Sequence, residues 1–301
     1  MRCVKRLMLT CAVMLLAAPC FAADDPDAYT ILLDRPSRKG EKSPFELVYA
    51  QVLTTKTTEQ GHDPTTTEDS LGAHFIFDDE VKEVDENGHS KLVVFTVRTC
   101  TSVKDKEETV LLPPGTKIIA RAKEMDTEFT IDDKPPEKKV DALFKQLISL
   151  VRAPDVPTFD KAYGTSTPRK IGETWPIDAD ATASYLKACG LAVDAKDVSG
   201  DVSFKALESS DGEACVRVEG NAHVKHFGDA KHEFDKPDLK LKNATVDSHI
   251  TWMAPIDPKK NLCSMVSEVT FEYTWKGERQ GVSYEVVQTA LTERHVRSLK
   301  E

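Results

Sequence analysis

The stretch "SEVTFEYTW", Ser267–Trp275, alternates apolar and polar residues over its whole length. Its apolar residues are Val269, Phe271, Tyr273 and Trp275, and Glu or Thr stands at each position between them. Successive side chains of a β-strand point to opposite faces of the sheet. The stretch therefore predicts a strand with one buried face and one solvated face.

The same alternation recurs in both halves of the chain. The residues expected to share a buried face are Phe45, Leu47, Tyr49 and Leu53; Val93, Phe95 and Val97; Val202, Phe204 and Ala206; Ala214, Val216 and Val218; and Val246, Ile250 and Trp252. Gly-containing turn signals separate the runs, at Asp85–Gly88, Leu112–Gly115, Ser209–Gly212 and Lys276–Gly281. Short turns between alternating strands indicate antiparallel meanders. We therefore expect a mainly β (α+β) fold with two antiparallel, curved sheet halves.

Two segments have helical spacing instead. The first follows Pro135 and Pro136, which suit a helix start because proline lacks an N–H that would go unpaired there. Its apolar residues are Val140, Leu143, Phe144, Leu147 and Val151. The second segment starts at Asp178 or Asp180, either of which can cap a helix, and ends at Gly190. Two short helices are thus expected to cover the sheets.

The chain divides into four parts on this pattern. We expect a signal peptide over 1–22, a first β half over 23–133, a connector with both helices over 134–192, and a second β half over 193–301. Each half contains a strand, an acidic Gly turn and an alternating strand. This outline fits an internal duplication, and it equally fits two generic hairpins.

The N-terminus has the features of a secretory signal peptide. Three basic residues within the first six precede an apolar run, Leu7–Ala18, and small residues predict cleavage after Ala22. The run is too short to span a membrane. Pro19 in front of Cys20 argues against a lipoprotein anchor. We therefore expect an exported chain, periplasmic or extracellular, with no integral membrane span after cleavage.

Charge and motifs exclude several function classes. The net charge of −10 argues against nucleic acid as a partner, because phosphate binding needs concentrated positive charge. A histidine-rich stretch, 221–238, contains His223, His226 and His232, but its spacing matches no zinc pattern. The sequence has no HExxH, GxSxG, P-loop or GxGxxG motif. We expect no metal, no cofactor and no enzymatic activity; a secreted hydrolase without a recognisable motif is the weaker alternative.

Four cysteines remain after signal cleavage: Cys100, Cys189, Cys215 and Cys263. In an exported chain they allow three full disulfide pairings, and buried unpaired thiols are an equal alternative. A simple meander would separate Cys215 from Cys263 by one intervening strand, or about 9–10 Å between Cα atoms. That distance exceeds the roughly 7 Å limit for a bridge, so we expect none between these two.

The segment Arg169–Gly190 is expected to join the two halves. Trp175 would be a buried anchor between them, and Pro176 keeps Trp175 extended. Lys170, Gly172, Glu173 and Trp175 form a Lys-x-Gly-Glu-x-Trp element that resembles one in uncharacterised secreted bacterial β-proteins. The layout is also similar to LolA-like periplasmic half-barrels. The resemblance implies a fold and no catalytic residues.

A curved sheet whose helices leave part of one face uncovered would offer an apolar groove. The residues proposed for this groove are Phe95, Phe204, Trp252, Phe271 and Tyr273. The expected ligand is a lipid or another apolar molecule, carried by a non-enzymatic envelope protein. The alternative is a structural or protein-interaction module whose partner is an envelope protein.

Overall fold

The computed structural model describes residues 28–104, 106–124, 126–151, 156–188, 190–228, 239–279 and 281–300. The predicted signal peptide, Cys189 and the His232 end of the histidine-rich stretch lie outside these residues.

Twelve strands form in the described residues. They are β1 (Lys42–Glu59), β2 (Thr65–Val84), β3 (Ser90–Lys104), β4 (Glu107–Val110), β5 (Lys117–Lys123), β6 (Asp126–Ile131), β7 (Thr174–Pro176), β8 (Val198–Ser210), β9 (Glu213–Val224), β10 (Leu239–Pro255), β11 (Ser264–Arg279) and β12 (Val282–Ser298). Six of them, β1, β3, β8, β9, β10 and β11, contain the alternating runs identified in the sequence. They belong to one open, curved sheet in the order β6-β5-β3-β2-β1-β12-β11-β10-β9-β8-β7, with β4 paired to β3.

The two halves of the chain are joined by pairing between β1 and β12. This ladder is antiparallel and runs in unbroken register from Phe45 opposite Ser298 to Glu59 opposite Tyr284. The other pairs of neighbouring strands in the described residues are antiparallel too. The expected mainly antiparallel β fold is confirmed, with the two halves fused into a single sheet.

In the part of the chain that the structure describes, three α-helices accompany the sheet: α1 (Lys138–Leu147), α2 (Phe159–Tyr163) and α3 (Ala179–Ala188). The two predicted helices correspond to α1 and α3. Asp178 caps α3, since its Oδ1 accepts the Ala181 N–H at 2.9 Å. α2 was not expected. It is a single turn capped by Thr158, whose Oγ1 accepts the Lys161 N–H at 3.1 Å.

The first half has its own apolar core beneath α1. Phe144 of α1 is fully buried, and its ring lies 5.5 Å from those of Phe75 and Phe129. Phe77 and Phe95 continue the aromatic cluster across β2 and β3, with ring centroids 5.5 Å apart. Burial of these rings fixes α1 on one face of the sheet.

The second half has a separate core beneath α2 and α3. Trp252 of β10 is fully buried, and Tyr163 of α2 lies 5.3 Å from it. Gly220 of β9 makes this contact possible, because a Cβ there would meet Trp252 at 2.9 Å and Tyr163 at 3.1 Å. Ile31 and Leu33, which precede β1, complete this core.

Trp175 is buried as predicted but not where it was predicted. It lies on β7, which pairs with β8 at the outer edge of the sheet, and it belongs to the second core. Its Nε1–H donates to the Tyr163 carbonyl at 2.9 Å, and the Arg169 guanidinium stands 5.3 Å from its ring. The expectation that Trp175 sits between the halves was wrong, because the halves meet through β1 and β12.

Candidate functional site

Both cores lie on the same face of the sheet, which we call the helix-bearing face. The register shows this directly. Val296 packs with the first core and Val286 with the second, and both occupy even positions of β12. With a side-chain period of two, these residues point to the same side. The two cores are therefore separated along one continuous surface.

The surface between the cores consists of two rows of residues that run across the central strands. We call these rows the central strip. One row is Val269, Thr292, Gln51 and Leu71, and the other is Phe271, Ala290 and Leu53, with the exposed Asp69 of β2 at its end. The seven residues other than Asp69 are half-buried. The strip is mostly apolar, and part of its surface reaches solvent.

Arg294 occupies the next row of β12, opposite Tyr49 of β1. Its Nη2 donates to the carbonyl of Leu147, the last residue of α1, at 2.9 Å. Its Nε is buried without a hydrogen-bond partner among the described residues. Burial lowers the pKa of Arg294, and the nearby Tyr185 and Tyr49 offset this only in part. A guanidinium thus stands beside the central strip with unused hydrogen-bonding capacity.

A small polar network fixes the end of α1 beside Arg294. The Tyr49 hydroxyl accepts a hydrogen bond from Gln146 Nε2 at 2.8 Å and is also hydrogen-bonded to Thr292. Burial raises the pKa of Tyr49, so this hydroxyl keeps its proton at neutral pH. The network holds Tyr49 and Thr292 in place where the strip adjoins the first core.

The five residues expected to line a groove lie mostly in the cores. Phe95 belongs to the first core, whereas Phe204, Trp252 and Tyr273 belong to the second. Phe204 and Trp252 are fully buried. Phe271 alone falls within the central strip, stacked on Tyr273 at 6.4 Å. Sequence reasoning missed Arg294, because only the register places its guanidinium next to an apolar surface.

A second candidate lies on the opposite face of the sheet. Ser199, His223 and Asp247 stand side by side on β8, β9 and β10, beside a cavity of about 350 Å³. His223 Nδ1 lies 2.7 Å from Asp247 Oδ1, as in a Ser-His-Asp triad. The Asp247 side chain, however, is 66% exposed, and no hydrogen bond in the described part of the chain joins Ser199 to His223. Ser199, His223 and Asp247 are the residue types of a catalytic triad. In the described part of the chain they lack the buried aspartate and the serine–histidine hydrogen bond that a triad requires.

Two further observations concern metals and membranes. The described residues contain no group of three or more His, Cys, Asp or Glu placed to hold a metal ion. Within the same residues, no helix has both the length and the apolar character needed to cross a membrane.

No protein-family model matches the chain, and no curated protein sequence does. Among solved structures, lipovitellin, studied for its lipid–protein interactions, aligns with 87% of this chain at a TM-score of 0.33 and 8% identity. The aligned part is 25% of that protein, so the chain spans about a quarter of its length. The outer membrane protein OprG from Pseudomonas aeruginosa aligns over 89% of this chain and 100% of its own, at a TM-score of 0.25 and 7% identity. OpdQ from the same species aligns over 86% and 98%, with the same TM-score and identity. Such low similarity carries no argument about function.

Proposed function

We propose that this protein is a non-enzymatic, exported β-protein that binds an apolar molecule with an anionic end on the central strip. The observation that carries the proposal is the position of Arg294 beside seven half-buried residues between two helix-covered cores. The apolar part of the ligand would cover the strip, and its anionic group would bind the guanidinium.

The strip contributes through the hydrophobic effect. Covering the exposed parts of Leu53, Phe271 and Val269 removes apolar surface from water, at roughly 25 cal/mol per Å². The strands that bear these residues pair in regular register on both sides, so the surface is largely preformed. A preformed apolar surface with a few polar groups is the usual form of a small-molecule site.

Arg294 contributes charge and orientation. No carboxylate pairs with Arg294 in the described part of the chain. A buried cation without such a partner is costly to keep charged, and burial lowers the pKa of Arg294 for that reason. A carboxylate or phosphate placed on its free N–H groups would offset that cost and form charge-assisted hydrogen bonds. The arrangement favours a fatty acid or an acidic lipid over a neutral apolar molecule.

The location in the cell envelope belongs to the same proposal. It is supported by the N-terminal sequence, with its basic start and short apolar run. The resemblance of the Lys170–Trp175 element to one in uncharacterised secreted bacterial β-proteins also supports it, as does the similarity of the layout to LolA-like periplasmic half-barrels. A carrier of apolar molecules in an aqueous compartment needs a surface that shields its ligand from water, which the central strip offers.

The test is a titration of the mature protein, purified without detergent, with a fluorescent fatty acid. We expect saturable binding at micromolar probe, weakened at least about tenfold by Arg294→Gln, since one charge-assisted hydrogen bond contributes about 1.5 kcal/mol or more. Arg297→Gln is the matched control. Arg297 lies three residues further on β12, is 62% exposed, and pairs with Glu46 on the opposite face. The Arg297→Gln variant should bind the probe with the affinity of the parent.

A fluorescent fatty alcohol of the same length separates charge from apolar contact. We expect the parent to bind the alcohol at least about tenfold more weakly than the acid, by the same energetic argument. Equal affinity for both probes would contradict the role of Arg294, even if the variant fails to fold. The absence of saturable binding would overturn the carrier function and favour the interaction module.

A further inference from the structure

Cys215 and Cys263 are in direct contact although they are far apart in the sequence. Their Sγ atoms lie 3.2 Å apart. Cys215 is the third residue of β9 and is fully buried, whereas Cys263 precedes β11 and is half-buried. Both side chains are free thiols in this structure.

The expectation that these two cysteines are out of reach of each other was wrong. The strand order does follow the sequence, but β10 ends at Pro255, which pairs with Cys215 itself. The chain then turns, and the Cys263 N–H donates to the Met253 carbonyl at 3.0 Å. Cys215 and Cys263 therefore both lie next to the last residues of β10, where the strand stops separating them. Their sulfur atoms are in contact at this point.

The surroundings distinguish the two sulfur atoms. Cys263 lines a cavity of about 220 Å³ together with Lys260, Asn261 and Lys300. Cys215 has no exposed surface, and its burial raises the pKa of its thiol to about 12. An oxidant can therefore reach Cys263 first, with Cys215 held directly behind it.

Arg35 fixes the segment that carries this pair. Its Nη2 donates to the Pro255 carbonyl at 2.8 Å, and its Nη1 donates to the Asp257 carbonyl at 3.4 Å. The guanidinium is also close enough to both sulfur atoms to interact with them electrostatically. The thiolate is the reactive form in thiol–disulfide exchange.

We propose that Cys215 and Cys263 form a disulfide bond by exchange with an external disulfide, such as oxidised glutathione or the disulfide of a thiol oxidoreductase. The Cys263 thiolate attacks the external disulfide, forms a mixed disulfide and releases one thiolate. Cys215 then loses its proton and attacks the Cys263 sulfur, releasing the second thiolate. Two S–H bonds are lost and one S–S bond forms, while two electrons and two protons pass to the external disulfide, which becomes two thiols.

Peptide mapping tests the bond, because trypsin places each cysteine after the signal peptide in a different peptide: 99–104, 188–196, 206–217 and 261–276. The folded, reduced protein is incubated with oxidised glutathione, alkylated and digested without reductant. We expect peptide 206–217 joined to 261–276, at the summed mass less two hydrogen atoms. The oxidised protein should also melt about 5 °C or more above the reduced protein, because the bridge closes a long loop.

Three variants test the order of the two steps. Cys215→Ser should stop at the mixed disulfide, with one glutathione on peptide 261–276. Cys263→Ser should leave peptide 206–217 unmodified, because its thiol is buried. Cys100→Ser is the matched control and should form the bridge as the parent does. If the parent instead links either cysteine to peptide 99–104 or 188–196, or leaves both free in excess oxidised glutathione, the proposal is overturned.

Discussion

The carboxyl group of Asp79 lies in an apolar part of the sheet. It lies on β2 between the buried residues Phe77 and Val81, and its Oδ1 accepts a hydrogen bond from Ser43 Oγ at 3.1 Å. Burial raises the pKa of Asp79 to about 6, and the Ser43 hydrogen bond only partly counters this. The ionised form is therefore costly in the folded chain.

This position predicts a pH-dependent effect of Asp79→Asn. The unfolded chain loses the Asp79 proton near pH 4, whereas the folded chain keeps it up to about pH 6. The contribution of Asp79 to stability thus falls as pH rises through this window and stays low above it. Relative to the parent, the variant should gain about 1–2 kcal/mol between pH 4 and pH 7, allowing for solvent screening. Urea unfolding at both pH values measures the gain.

Asp78→Asn is the control for this measurement. Asp78 is the preceding residue on β2, its side chain is 45% exposed, and Arg98 Nε donates to it at 2.8 Å. Its replacement should give no gain at pH 7. A gain from Asp79→Asn that is the same at pH 4 and pH 7 would show that burial of the charge is not the cause.

At the scale of single residues, the sequence predicted which residues are buried better than it predicted which residues contact each other. It anticipated a buried Trp175 and a helix cap at Asp178 or Asp180 from local pattern alone, and Asp178 is the residue that caps α3. It failed for Cys215 and Cys263 because their contact depends on where β10 ends, which alternation does not specify. Arg294 was missed because a lone arginine on a strand carries no signal until its neighbours are known.

Among the elements, β7 and α2 depend on one another. β7 has only three residues, and Trp175 at its centre is 5% exposed. The indole N–H donates to the last residue of α2, so the strand and the helix share one anchor. Trp175→Ala should cost on the order of 3–5 kcal/mol, as expected for a large aromatic residue in a core. Denaturant unfolding measures the loss.

Two variants show whether burial or the hydrogen bond matters more. Trp175→Phe keeps most of the ring and removes the N–H, so an intermediate loss is expected. Ile171→Ala changes a side chain that is 52% exposed and should leave stability within about 0.5 kcal/mol of the parent. A Trp175→Ala variant as stable as the parent would mean that β7 is not held by this residue.

The elements that were predicted are long or strongly patterned. The long strands β1 and β11 show clear alternation, and α1 shows four buried residues at helical spacing. The elements that were missed are short. α2 has five residues, too few to show a helical period, and it stabilises the fold through tertiary contacts with Trp252 rather than through its own propensity.

The arrangement of the whole molecule could be predicted only in part. Alternation and turns correctly indicated an antiparallel β protein with helices on it. They did not indicate that β1 pairs with β12, because those strands are more than two hundred residues apart in the sequence. The central strip forms only because these two strands pair. In the sequence alone, its residues cannot be distinguished from other strand residues. The groove residues inferred from aromatic content fell mainly within the two cores.

We propose for the whole molecule that the central strip and Arg294 together bind an acidic apolar molecule. The most direct measurement is a native mass spectrum of the mature protein purified without detergent, repeated after extraction with organic solvent. We expect an added mass that is lost on extraction, is recovered in the extract as an acidic lipid and is absent from the Arg294→Gln variant. A spectrum of the bare chain before extraction, with no mass gained on incubation with a fatty acid, would contradict it.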